Sequence, residues 1–177
     1  MRLRPSTYFR LLPACALLTL AVILPAGART TNFFERFEAG LTNWIIGDAD
    51  SAGTPAYWGI VDSAFGGEGT HGGGFKAYCA GVGFAGDANA PLYRDSMRAY
   101  LTRTVDLAGY TNATLTFWYK TPAIELGYDA ANVLVNSTII WSTDLPQTTW
   151  RQVTLSLEAY IGQTNELTFL FTSDGSI

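Results

Sequence analysis

The sequence predicts an all-β fold, a jelly-roll-like antiparallel β-sandwich. From Phe33 onward, short runs of period-two alternation rich in β-branched and aromatic residues are separated by turn residues. No segment keeps a helical apolar stripe for three turns. About eight or nine such runs in a chain of 177 residues fit two packed sheets rather than a single open one.

The first 28 residues stand apart from this pattern. They carry Arg2, Arg4 and Arg10, no acid, an apolar run over residues 11–24, and the small residues Ala26, Gly27 and Ala28. This is the pattern of a secretory signal peptide, with cleavage expected after Ala28. No later segment is apolar enough to span a bilayer, so membrane insertion is not expected once the leader is cut. Removing it and its three arginines leaves 149 residues, with 8 basic against 15 acidic side chains and a formal net charge of −7. That balance argues against a nucleic-acid partner. Cys15 goes with the leader, which leaves Cys79 alone and makes an internal disulfide impossible. The mature fold must hold by packing, and 22 of the 24 aromatic residues lie after Ala28 to supply it.

In chain order, the predicted strands are residues 33–37, 57–61, 76–80, 98–105, 113–120, 132–135, 139–141, 153–157 and 166–172. The clearest is 113–120, where Leu115, Phe117 and Tyr119 share one face and Thr114, Thr116 and Trp118 the other. Val153, Leu155 and Leu157, then Leu167, Phe169 and Phe171, repeat the inward pattern. Residues 66–86 hold nine of the mature chain's 17 glycines and form a long connection crossed by the strand at 76–80. The chain ends at Ser173-Asp174-Gly175-Ser176-Ile177, just after a strong strand. The expectation is one domain over residues 29–177, incomplete at its C-terminus, whose open sheet edge is either continued by further chain or covered by a partner.

Catalytic chemistry finds few residues to use. A histidine-rich zinc site and a serine triad would both depend on His71, the single histidine, which lies among glycines. Cys79 sits in a strand-like segment and reads as a small buried residue. Glycoside hydrolysis needs only two carboxylates, but no acid stands out on a cleft-facing strand. Calcium is the cofactor the acidic composition suits best. Asp48 and Asp50 stand at i and i+2 before Gly53, although the run fails as an EF-hand because Ala52 and Gly59 occupy ligand positions. Glu38, Asp62 and Asp129 could complete such a site. Sugar binding would use exposed aromatic rings, for which Trp58, Trp118 and the loop residue His71 are the candidates.

Phe37-Glu38-Ala39-Gly40-Leu41-Thr42-Asn43-Trp44, Tyr57-Trp58-Gly59, Leu115-Thr116-Phe117-Trp118-Tyr119, Val133-Leu134-Val135, Trp141, Trp150 and Phe169-Leu170-Phe171 follow in order. The series resembles the MAM (meprin-type) adhesion domains and their secreted bacterial jelly-roll relatives. Only Cys79 is present where animal MAM domains carry paired cysteines, so the bacterial group fits better. The chain also ends before the family's closing acidic strand. The resemblance implies adhesion or accessory roles and, in relatives that bind calcium, a role for the glutamate here at Glu38.

The reading is therefore a secreted, non-catalytic recognition module binding an extracellular protein or glycan. Its alternative is the N-terminal accessory module of a larger secreted hydrolase, peptidase or glycosidase, with the catalytic domain beyond Ile177.

Overall fold

Alternation along 113–120 does what it predicts, and the rest of the architecture follows from it. The computed structural model describes residues 31–50, 55–83 and 93–176. The expected signal peptide lies outside the described residues.

Among the described residues there are nine strands: β1 (Ile45–Asp48), β2 (Tyr57–Asp62), β3 (Phe75–Val82), β4 (Arg98–Asp106), β5 (Thr114–Thr121), β6 (Ala130–Val135), β7 (Thr138–Thr143), β8 (Gln147–Ser156) and β9 (Thr164–Thr172). Every pairing is antiparallel. One sheet runs β1-β4-β9-β6-β7, and β2-β3 and β5-β8 form two further pairs. Among the described residues there is no α-helix, and no helix is long and apolar enough to cross a membrane. The all-β, antiparallel sandwich read from the sequence is the fold observed.

The β5-β8 pair lays its apolar face on the five-stranded sheet. Phe117 meets Trp141 and Phe169 edge-on, each at 5.3 Å, and Tyr119 meets Trp141 at 4.8 Å. The β2-β3 pair covers the other part of that sheet, with the Trp58 indole N–H donating to the Ala99 carbonyl at 3.1 Å. Two buried cores result. The first gathers Ala56, Ala80, Tyr93, Met97, Ala99, Ile124 and Phe171, and the second gathers Val105, Leu107, Leu115, Val133, Val135, Leu157 and Leu167.

Three elements differ from expectation. β8 begins at Gln147, six residues before the expected strand at 153–157, and so takes in Trp150. Residues 33–37 form no strand, because Glu35 turns the chain. Its Oε1 accepts from the Arg36 and Phe37 N–H groups, its Oε2 accepts from the Trp44 indole at 3.2 Å, and Phe37 adopts φ 64°. The aromatic residues there plug one end of the second core instead: Phe33 packs edge-on against Trp44, and the Arg103 guanidinium lies 3.9 Å from the Phe33 ring. Conversely, β1 was not expected. It is four residues long, and its Gly47 lies against the Tyr100 ring, where a Cβ would collide with the ring.

Candidate functional site

On β5 and β8 the residues that do not face the core form an outward strip. Thr116 lies opposite Thr154 with their hydroxyls 3.2 Å apart, and Trp118 lies opposite Gln152. Trp118 is 41% exposed on this strip.

What already meets it is His71, which stacks on the Trp118 ring at 3.8 Å with 20° between planes. Trp150 completes the group at 6.2 Å from the imidazole, edge-on, and its indole N–H is buried without a hydrogen-bond partner. The sequence places Trp118 outward by its period-two position, and the same rule applied to Trp150, two residues before Gln152, adds the third ring. Nothing in the sequence links His71 to them. That contact comes from the loop between β2 and β3.

The loop is fixed at several points. Asp62 Oδ1 accepts from the Ala64 and Phe65 N–H groups, each at 2.9 Å, to start the turn. Lys76, only 6% exposed, donates from Nζ to the carbonyls of Phe65 at 2.9 Å and Gly69 at 3.0 Å. Lys120 Nζ donates to the Glu68 carbonyl at 3.2 Å. Glu38 Oε1 accepts from the Gly74 and Phe75 N–H groups. Gly73 sits at φ 80° directly beneath that carboxylate, where any side chain would overlap it. Burial pushes the Lys76 ammonium below the usual lysine range. Lys120 acts in the same direction, and Glu68 and Asp62 oppose it.

The remaining expected site residues lie elsewhere. Trp58 is half-buried against the first core and held by its bond to Ala99. Asp48 ties backbone together, with Oδ1 accepting from Asp50 and Arg98 N–H and Oδ2 from Ala56 N–H. Among the described residues, the carboxylates that gather closely enough to share a metal ion are Glu125, Asp129 and Asp174, with ligand atoms within 4.8 Å of one another. Glu38, Asp48 and Asp50 are not in this group.

Asp129 is 1% exposed; its Oδ2 bonds to the Tyr93 hydroxyl and accepts from Glu125 N–H, and its Oδ1 accepts from Asp174 N–H. Burial and the Asp129 bond push the Tyr93 hydroxyl above the usual phenol range. Glu125 Oε2 is buried and accepts no hydrogen bond. An all-oxygen donor set of this spread suits calcium, whose ligands lie at about 2.3–2.6 Å and so up to about 5 Å apart. Glu125 and Asp129 are four residues apart, but Asp174 is 45 residues beyond, so the cluster could not be read from the sequence.

No family model and no curated protein matches this chain. Among solved structures, the chain is similar to the K1 cleaved adhesin domain of Lys-gingipain from Porphyromonas gingivalis W83. The TM-score is 0.54 and the identity 22%, over 78% of this chain and 87% of that one. It is also similar to the carbohydrate-binding module TmCBM61 in complex with β-1,4-galactotriose, with a TM-score of 0.50 and 14% identity, over 82% and 91% of the two chains. At these identities the likeness shows the shared β-sandwich fold alone.

Proposed function

We propose that this chain is a secreted, non-catalytic recognition module that binds extracellular glycan or protein surfaces through Trp118, His71 and Trp150. The observation that carries the reading is the outward indole of Trp118 with the imidazole stacked on it. A ring fixed in the open on a sheet face offers apolar area at little entropic cost, which is how aromatic anchors act in recognition. The sandwich it shares with an adhesin domain and a carbohydrate-binding module supports the reading. A MAM-like kinship of the secreted bacterial kind belongs to the same proposal and rests on the aromatic motif series.

The test is a screen of the protein against neutral and charged glycans, cell-wall material and extracellular proteins, repeated with Trp118→Ala. A binder whose affinity falls about 30-fold in the variant supports the reading, as expected of an aromatic anchor worth about 2 kcal/mol. A clean screen, or unchanged binding in the variant, overturns it.

The accessory-module alternative is favoured by the description of the K1 domain as part of Lys-gingipain. A natively secreted mass well above about 16 kDa, the 19.2 kDa chain less its leader, would support it.

We further propose that Glu125, Asp129 and Asp174 hold calcium, an assignment supported by the partnerless Glu125 oxygen beside two other carboxylates. An ion bound only by the native state raises the melting midpoint by mass action. Melting that a chelator leaves unchanged removes the metal from the account.

A further inference from the structure

The glycine-rich loop has little apolar material of its own to hold it down. Residues 71–75 are all exposed, and Gly69, Gly72, Gly73 and Gly74 leave its backbone few intrinsic constraints. At its start, Phe65 packs on Tyr78 with ring centroids 5.1 Å apart. The crest between that contact and Glu38 is held by Thr70, whose hydroxyl donates to the Gly73 carbonyl, and by two ammonium groups rising from different strands.

Lys76 comes from β3 and Lys120 from β5, the strand that also carries Trp118. Burying an ammonium is costly, and an apolar residue at 76 would fill the same space without that cost. The charge is used on backbone carbonyls rather than on a carboxylate: Phe65 and Gly69 for Lys76, and Glu68 for Lys120. His71 lies two residues beyond the last of these carbonyls.

We infer that Lys76 and Lys120 are positioning residues that clamp the glycine-rich loop over the β5-β8 face and thereby set His71 on Trp118. The platform is then already formed in the free protein rather than assembled on ligand contact, a saving in ordering cost that favours affinity. The inference rests on the recognition reading for its purpose, but the clamp itself is measured without any ligand.

His71 is the single histidine of the chain, so its ring protons are assigned without ambiguity in a tag-free protein. Stacked on an indole at 3.8 Å, they fall in the shielding cone and resonate upfield of free histidine. In Lys76→Met and in Lys120→Met, the upfield shift should be lost while the methyl signals of Val133, Val135 and Leu167 stay in place. Lys120→Arg, which keeps a donor, should restore it. An upfield shift retained in the folded variants overturns the clamp. If Lys76→Met does not fold, Lys120→Met decides alone. Loss of the shift together with a clean binding screen would leave the clamp standing and remove the recognition reading; a retained shift with binding abolished by Trp118→Ala would do the reverse.

Discussion

The two cores are built from different materials. The second is aliphatic: Val105, Leu107, Leu115, Val133, Val135, Leu157 and Leu167, closed by aromatic rings. The first relies on Ala56, Ala80 and Ala99, whose small side chains bring backbones close, fills space with Met97, Ile124 and Phe171, and packs beside them the ionisable groups of Tyr93, Tyr78 and Cys79. Close approach is visible where Gly59 and Gly81 face each other across β2 and β3, because a Cβ on either would meet the other's backbone. Apolar burial is insensitive to pH, whereas an ionisable group whose pKa shifts on folding ties stability to its protonation state. Tyr93 ties the Asp129 cluster to the first core and Phe65 ties the glycine-rich loop to it through Tyr78, while Trp118 and Trp150 stand on the β5-β8 pair over the second.

The largest effect expected is in the second core. Leu167 is 2% exposed, and Leu167→Ala should lower unfolding free energy by about 3 kcal/mol, equally at pH 7 and pH 10, as measured by urea denaturation. A loss that varied with pH would mean the two cores are coupled and would break the contrast.

The next effect belongs to the first core. Burial pushes the Cys79 thiol from 9.0 up to about 12, and burial first also raises Tyr78 and Tyr93 above their ordinary 10.0. A group whose folded-state pKa is raised contributes its stability below the unfolded value and loses it as pH climbs towards the folded one. Stability should therefore decline from pH 9 upward, by at most about 1.4 kcal/mol per pH unit for each titrating group. Lys76, lowered from 10.5, works in the opposite direction and offsets part of the loss. Unfolding midpoints followed from pH 8 to pH 11 should show a shallower decline in Cys79→Ala and a steeper one in Lys76→Met. A flat profile in the native protein contradicts this account.

The same difference explains what the sequence reveals. In β5 and β9, alternation assigns each side chain to its face, because burial on one side only imprints a period of two. The first core leaves a weaker imprint: the strands at 57–61 and 76–80 are read, but the alanines and glycines that let their backbones approach do not announce it, and β1 is too short to alternate. The expected strand at residues 33–37 had the right composition, but a single carboxylate, Glu35, captures two backbone N–H groups and turns the chain. Trp118 and His71 were both candidates in the sequence, Trp118 outward for the reason β5 was legible; their contact was not, because His71 is placed by lysine contacts to backbone carbonyls, and a carbonyl carries no signature of residue type.

The smallest expected effect on stability is at the platform itself. Trp118 points away from both cores, and the structure gives it stacking on His71 and a place opposite Gln152 rather than a buried seat. Trp118→Ala should therefore shift unfolding free energy by no more than about 0.5 kcal/mol, the range of surface substitutions, even though the residue removed is larger than Leu167. Urea denaturation of the two variants side by side measures this. A loss approaching that of Leu167→Ala would mean the indole serves the fold, and its exposure would lose its meaning as a binding feature. Near-neutral stability combined with lost binding would place the two roles on opposite faces of one strand: Phe117 holds the sandwich together, and its neighbour Trp118 is left free to bind.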